Sequence, residues 1–300
     1  MKLLITGSMG HIGTYLIRNR KLIDKFDKII LVDYFLNNKQ NILYKFNYKD
    51  KFKFIYRDIS KKNSLIDLPK VNYCIHLASI TNAQESVNIK DKLYQNNLGC
   101  FKNVLNFCIK HNTKLIHLSS TSVYGVSGNL VDEKSKIKPQ SPYAEVKLIE
   151  ENLLKLNKKK LSYISLRFGT IAGVSPNIRF HTAINKFCFN AAMKTPIPVW
   201  KTALDQYRPY LTLSDATKTL NFFLEKKIFN NEIYNVLSKN LTVRELLSKI
   251  KKYKKIKVSL TNSKIMNQLS YKVSQKKLEK LGLKLDSTFD KEIKQTLNLF

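Results

Sequence analysis

Lys2-Leu3-Leu4-Ile5-Thr6-Gly7-Ser8-Met9-Gly10-His11-Ile12-Gly13 is the stretch on which the fold turns. A short apolar run, Lys2–Thr6, reads as a buried strand and passes directly into three glycines spaced three apart. Gly7 permits a tight turn, Gly10 lets the backbone approach a pyrophosphate, and Gly13 allows a helix to pack closely on the strand. The helix that follows aims unpaired N–H groups at the same place. A second apolar run, Lys28–Asp33, ends in a carboxylate 20 residues after Gly13. A carboxylate there accepts from the adenosine ribose hydroxyls of a dinucleotide. It also repels a 2′-phosphate, and Tyr34 rather than an arginine follows it, so NAD is expected and not NADP.

Outward from this unit, Phe52–Tyr56, Asn72–Leu77, Lys114–Ser119 and Leu161–Arg167 also read as strands. Helical patterns lie between them at Ile12–Asn19, Tyr94–His111 and Pro142–Asn157. Strand and helix alternating at this cadence predict an α/β fold, a Rossmann doubly wound parallel sheet covered on both faces. Beyond Phe168 the strand signals thin and helices are expected at Thr182–Met193, Ser214–Lys226, Thr242–Tyr253 and Gln275–Leu281. The reading is a dinucleotide-binding domain over residues 1–168, rejoined by 205–226, and a smaller, mostly helical substrate domain over 169–300.

Composition excludes several alternatives. Hydrophobic residues make up 43% of the 300, enough for a buried core, and no apolar run approaches the roughly 18 residues of a membrane span. The four cysteines show neither a CxxC nor a metal-ligand spacing, so reduced thiols in a cytoplasmic protein and no metal are expected. The formal charge of +31 suggests nucleic acid at first sight, but only seven of the 53 basic residues are arginine. The lysines are scattered as a compositional bias scatters them, and no specific nucleic-acid site is expected.

Tyr143 and Lys147 stand four apart, behind Ser141 as N-cap and Pro142 at the first helical position, so both side chains share one helix face. A phenol with a pKa of about 10 is a poor base at neutral pH. A neighbouring ammonium and a bound nicotinamide's positive charge both favour the phenolate. The pair gains meaning from Ser119-Ser120-Thr121-Ser122-Val123-Tyr124-Gly125, which ends the fifth strand at the carboxyl edge where open α/β sheets hold ligands. A hydroxyl there reaches the same substrate oxygen from the other side. Asp58 reads either as an adenine contact or as a helix N-cap.

With these residues assembled, the sequence resembles the extended short-chain dehydrogenase/reductases of the nucleotide-sugar epimerase/dehydratase class, over essentially its whole length. The residues that carry it are the Gly7–Gly13 loop, Asp33, Asp58-Ile59, His76-Leu77-Ala78-Ser79, Asn97, Ser119–Gly125, Tyr143-x-x-x-Lys147 and Gln206-Tyr207-Arg208-Pro209. The resemblance implies that Tyr143 is the catalytic base, that Lys147 grips the nicotinamide ribose and that Ser120 orients the sugar hydroxyl. It implies that Gly7, Gly10, His11, Ile12, Gly13, Asp33, Asp58, Ile59, Leu77, Ala78 and Ser79 serve NAD, with Asn97 at the same site supporting the sheet edge beneath it. Substrate contacts are implied at Thr81, Ser122, Thr170, Arg179, Asn185 and Arg208. For Arg208 a diphosphate clamp stands beside a surface ion pair, and for Arg179 and Asn185 a substrate contact stands beside capping and surface polarity. A homodimer joined through the helices near 94–111 and 142–157 is also implied.

Departures narrow the chemistry. Dehydratases of this class carry an Asp-Glu pair directly after the catalytic Ser, where Thr121 and Ser122 stand. Decarboxylating relatives carry a Glu at the second position, and reductase/3,5-epimerases a Cys in this segment. What remains is hydride chemistry at one carbinol of a nucleotide-diphosphate sugar, with 4-epimerisation expected. A heptose-type 4-dehydrogenase or ketoreductase is the alternative, because Thr170 stands where galactose-type epimerases usually have Asn. The region Leu166–Asn185 resembles a branch serving surface-polysaccharide pathways. A protein that only held NAD as a regulator needs the glycine loop and Asp33 but not the Ser120, Tyr143, Lys147 set.

Overall fold

Strand β1 (Lys2–Thr6) contributes Leu3 and Ile5 to one hydrophobic core and Leu4 to another, all three without exposed surface. That division is the period-2 alternation of a strand buried on both faces. It repeats in β2 (Lys28–Asp33), where Ile29 and Leu31 face the first core and Ile30 and Val32 the second. The computed structural model of the chain describes residues 1–35, 50–82, 85–262 and 270–300.

The N-terminal half continues through α1 (His11–Leu16), α2 (Arg20–Ile23), β3 (Phe52–Tyr56), β4 (Tyr73–His76), α3 (Lys90–His111), β5 (Lys114–Ser120), β6 (Leu130–Val131), α4 (Pro142–Leu156) and β7 (Tyr163–Phe168). After it come β8 (Thr170–Ala172), α5 (Ala183–Ala192), β9 (Ile197–Trp200), β10 (Tyr207–Thr212), α6 (Leu213–Lys226), β11 (Glu232–Val236), β12 (Lys239–Thr242) and α7 (Val243–Lys251). The last elements are β13 (Val258–Thr261), β14 (Lys272–Val273), α8 (Lys276–Glu279) and α9 (Asp290–Leu297). Seven parallel strands in the order β11-β7-β5-β4-β1-β2-β3 form the central sheet. Residues of α1, α2 and α6 fill the core on one face, and residues of α3 and α4 the core on the other. The order reverses between β1 and β4, and at such a point a crevice opens outside the carboxyl ends of the strands. Thr6 pairs with His76 across it.

Two features depart from the sequence expectation. The return to the central sheet is made by α6 and β11, whereas the expected segment 205–226 begins with β10, which joins a smaller three-stranded sheet, β12-β10-β8. Strand β11 was not legible because its five residues, Glu-Ile-Tyr-Asn-Val, carry polar groups at two positions. The C-terminal part also holds more strand than helical periodicity suggests, including the pairs β13–β9 and β14–β6. A third core, of residues from α5, α7, α9, β9, β10 and β12, knits it together.

Gly7 adopts a positive φ of 67°, and a Cβ on it would lie 2.5 Å from the Ala78 nitrogen. A Cβ on Gly13 would lie 2.3 Å from the Ser8 carbonyl oxygen, so α1 and the turn that precedes it approach too closely for any side chain. Gly128, with nothing within 4 Å, is the internal control. Gly13→Ala is expected to lower unfolding stability by about 1–3 kcal/mol and Gly128→Ala to change it by less than about 0.5 kcal/mol, measured by denaturant titration.

Candidate active site

Gly10 differs from its two neighbours. A Cβ there would meet only the Gly7 carbonyl oxygen at 3.2 Å and an Arg179 nitrogen at 3.9 Å, and the residue lines two adjoining cavities. The fold itself does not fill this space, as a cradle for a pyrophosphate requires. The smaller cavity, about 120 Å³, is bounded by Asp33, Asp58, Ile59, Leu77, Ala78 and Ser79 among others. Asp33 Oδ2 accepts from the Met9 N–H at 2.7 Å, and Oδ1 from the Tyr34 N–H at 2.7 Å. The carboxylate thus braces the glycine loop and still has lone pairs for a diol. Arg57 also borders this cavity, but its guanidinium is committed to Asp67 at 2.9 Å and to the Ser64 carbonyl at 2.7 Å. Asp58 Oδ1 accepts from the Ser60 N–H and hydroxyl at 2.9 and 2.7 Å while bordering the cavity; no helix begins here, so it closes a turn rather than capping a helix.

The larger cavity, about 540 Å³, is within the size range of small-molecule sites. Gly7, Gly10, His11, Ile12, Gly13, Leu77 and Ser79 border its cofactor end, and Ser120, Tyr143 and Lys147 stand together in its wall. Helix α4 sets the latter two: the Ser141 hydroxyl accepts from the Ala144 N–H at 3.2 Å, Pro142 opens the first turn, and the Lys147 ammonium lies 5.9 Å from the centre of the Tyr143 ring. Ser120 Oγ accepts from the Ser122 N–H at 3.2 Å and lies 2.9 Å from the Ser122 hydroxyl, which donates to it. The same hydroxyl is hydrogen-bonded to the Tyr143 phenol, so the two groups are joined in the cavity wall. Thr81, Ser122, Thr170, Arg179 and Arg208 line the same space.

Charge beneath the site is arranged in layers. Lys147 Nζ donates to Glu150 Oε2 at 2.8 Å, and His117 Nε2 lies 2.9 Å from the same oxygen. Burial raises the Glu150 carboxyl, but Lys147 and His117 outweigh it and hold it at about 2. Burial acts to lower the Lys147 ammonium, yet Glu150 and Tyr143 keep it above the ordinary lysine value. The Tyr143 phenol is pushed up by burial; Glu150 adds to the rise, while Lys147, Arg179 and the Ser120 hydroxyl oppose it. The ammonium opposes this rise without cancelling it, which leaves the nicotinamide charge as the further contribution that the sequence reading expects. His76, His11 and His181 are held neutral, mainly by burial, at about 3, 3 and 4.

Other sequence expectations change as well. Asn185 does not line either cavity: it is fully buried, accepting from the Gly173 N–H at 3.1 Å and donating to the Arg179 carbonyl at 3.0 Å. Asn97 is likewise spent on backbone, accepting from the Ile80 N–H at 2.8 Å and donating to the Ile80 carbonyl at 3.0 Å. It shapes the Leu77–Ile80 wall, and its neighbour Asn96 lines the smaller cavity instead. Arg179 borders both cavities, over the glycine loop rather than at the sugar end alone. The segment carrying it is tied down by Asn177 Nδ2 donating to the Met9 carbonyl at 2.6 Å and by the Ser175 hydroxyl 2.7 Å from His11 Nδ1. Sequence reasoning assigns no role to Asn177 or Tyr271; Tyr271 lines the larger cavity, its hydroxyl 3.3 Å from Thr121 Oγ1. An isolated Tyr in a polar stretch carries no motif. Among the described residues no group of histidines, cysteines and carboxylates could hold a metal.

Residues 3–236 match the NAD dependent epimerase/dehydratase family, and the chain belongs to it. NAD is its cofactor. It is 28% identical over 251 residues to the protein named uncharacterized UDP-glucose epimerase YtcB of Bacillus subtilis (strain 168), covering 79% of this chain and 76% of that one. It is also 28% identical over 256 residues to the dTDP-D-glucose 4,6-dehydratase of Dictyostelium discoideum, covering 78% of this chain and 58% of the other. Among solved structures, the Thermus thermophilus UDP-glucose 4-epimerase in complex with NAD superposes with a TM-score of 0.86 at 21% identity, over 99% of this chain and 98% of that one.

Asp33→Ser together with Tyr34→Arg is expected to weaken NAD binding and move preference toward NADP. A Ser hydroxyl no longer repels a 2′-phosphate and the guanidinium attracts it. Calorimetric titration of both cofactors checks this; unchanged preference for NAD would place the ribose elsewhere.

Proposed function

We propose that the protein oxidises the C4 hydroxyl of a nucleotide-diphosphate sugar and returns the hydride to the opposite face, acting as a 4-epimerase. The observation that carries this reading is the chemistry of the larger cavity: Ser120, Tyr143 and Lys147 line it, and among the described residues no Asp or Glu does. Thr121, at the position where a dehydratase holds its acid, is 2% exposed and its hydroxyl is engaged with the Phe168 carbonyl at 3.4 Å and with Tyr271. Ser122 donates to Ser120. Loss of water from the sugar has no carboxyl group to drive it, whereas exchange of one hydride and one proton needs only the groups present.

NAD, when bound, supplies the hydride acceptor. Ser120 hydrogen-bonds the substrate oxygen, and Tyr143 takes its proton as the C4 hydride departs. Lys147 holds the nicotinamide ribose, and Asp33 the adenosine ribose. Arg179 and Arg208 clamp phosphates, roles suited to a planar guanidinium. Thr81 and Thr170 meet the sugar and its nucleotide. The names of the relatives, UDP-glucose epimerases among them, support C4 as the reacting carbon. Pairing of two copies through α3 and α4, which lie side by side, and a cytoplasmic location belong to the same reading; the free thiols of Cys74, Cys100, Cys108 and Cys188 support the latter. No helix among the described residues is long and apolar enough to cross a membrane.

Incubation with a panel of uridine, guanosine and cytidine diphosphate sugars, without added oxidant, is expected to yield the C4 epimer of one of them. A stoichiometric 4-keto sugar with accumulated NADH identifies a 4-dehydrogenase instead, and loss of water excludes both. Tyr143→Phe is expected to keep the fold and NAD binding while turnover falls about 10²–10⁴-fold; turnover within a few-fold of wild type rejects Tyr143 as the base.

A further inference from the structure

The Lys147 ammonium is not a free charge. It meets the Glu150 carboxylate at 2.8 Å, and both side chains are almost wholly buried. His117, also buried, holds the same Glu150 oxygen at 2.9 Å, and its other ring nitrogen lies 2.9 Å from the Ser165 hydroxyl, which fixes the ring. Glu150 Oε1 has no hydrogen-bond partner among the described residues, nor has the buried Nε2 of His76. Nothing in folding requires an ion pair here, since a buried pair is rarely worth more than well-packed apolar residues of the same volume.

We propose that Glu150, held by His117, is a counter-charge to Lys147 that keeps Tyr143 protonated until a cationic nicotinamide ring occupies the larger cavity. Glu150 is then a positioning residue acting through Lys147. The inference rests on the reading of Tyr143 as proton acceptor.

Charge counting gives the reason. With Tyr143 as phenol, the Tyr143, Lys147, Glu150 set carries zero net charge, and as phenolate it carries one negative charge in a dry site. An oxidised nicotinamide ring brings that sum back to zero. When the carbinol C–H hydride passes to the ring and its O–H proton to Tyr143, one positive and one negative charge vanish together, and the sum stays zero. Without Glu150 the same set is cationic with the phenol and neutral with the phenolate, so the phenolate is favoured whether or not the ring is charged. The other groups facing these residues do not supply this coupling. Arg179 faces Tyr143 from the segment over the glycine loop, in reach of phosphate; Ser120 is neutral; Cys100 faces Lys147 from α3; His76 from β4 and His117 from β5 face Glu150 and are held neutral by burial; and Glu151 beside His117 is bonded to Arg167 at 2.7 Å.

The test is a pH titration of phenolate absorbance on the purified full chain, with the Tyr143→Phe signal subtracted, in three forms: stripped of cofactor, with NAD and with NADH. Tyr143 is expected to titrate in the alkaline range when stripped or with NADH, and at least about one pH unit lower with NAD. Glu150→Gln is expected to lower the midpoint by about one unit in the stripped form and to shrink the NAD–NADH difference, with Glu150→Asp restoring the wild-type pattern. If Glu150→Gln does not fold, the wild-type titration alone decides. A stripped protein whose Tyr143 titrates near neutral pH, equal midpoints with NAD and NADH, or a Glu150→Gln midpoint unchanged from wild type each overturns the inference. No sugar is present, so these results are independent of the substrate and product reading. Undiminished turnover by Tyr143→Phe would reject the proton acceptor itself.

Discussion

Everything at the site depends on how closely the turn after β1 crosses the end of β4. With β1 and β4 paired in parallel, the chain leaving Thr6 must pass over the peptide of Leu77 and Ala78. Only a residue without a Cβ fits, and only a left-handed turn redirects the chain into α1. The Gly7 N–H donates to the Val32 carbonyl at 2.9 Å, and Asp33 holds the Met9 N–H, so the end of β2 is locked to the same turn. Three strands are thereby fixed around one loop, and both cavities open where they end.

On the far side of the sheet's reversal, α4 is tied to β5 and β7 by two successive carboxylates. Glu150 turns toward Lys147 and His117, while Glu151 accepts from Arg167 at 2.9 and 2.7 Å and from the Ser119 hydroxyl at 2.6 Å. Arg167 continues to the Tyr124 hydroxyl at 2.8 Å, and Tyr124 to Asn235 on β11 at 2.8 Å. Removing one partner from such a buried network leaves an uncompensated charge, which is strongly destabilising. The network therefore holds α4 against the strand that carries Ser120, and with it the relative placement of Ser120, Tyr143 and Lys147. Rigid placement of reacting groups is a large part of what an enzyme contributes to rate.

The C-terminal part is built differently. A short sheet and three helices surround an apolar core, and the loop Ser175–Arg179 is pinned back onto the glycine turn by Asn177 and by the Ser175–His11 contact. The two cavities consequently share Gly10 and Arg179 as part of a common wall.

The sequence by itself determined what depends on local sterics and periodicity. The glycine spacing, the carboxylate ending β2, the alternation of Leu3, Leu4 and Ile5 between two cores, and the Ser141-Pro142 start of α4 are short-range facts, written in residues a few positions apart. That is why the sheet, its cofactor edge and the Tyr143–Lys147 face were legible. The tertiary structure alone decided where long-range partners fall. Asn185 and Asn97 face backbone rather than ligand, and β11 completes the sheet from a polar pentapeptide. Tyr271 reaches the cavity from 128 residues beyond Tyr143. Glu150 meets Lys147 within one helix turn, yet its weight depends on His117, 33 residues away, and on the burial of both. Such contacts are set by which surfaces the folded layers press together, and no local pattern of side chains encodes them.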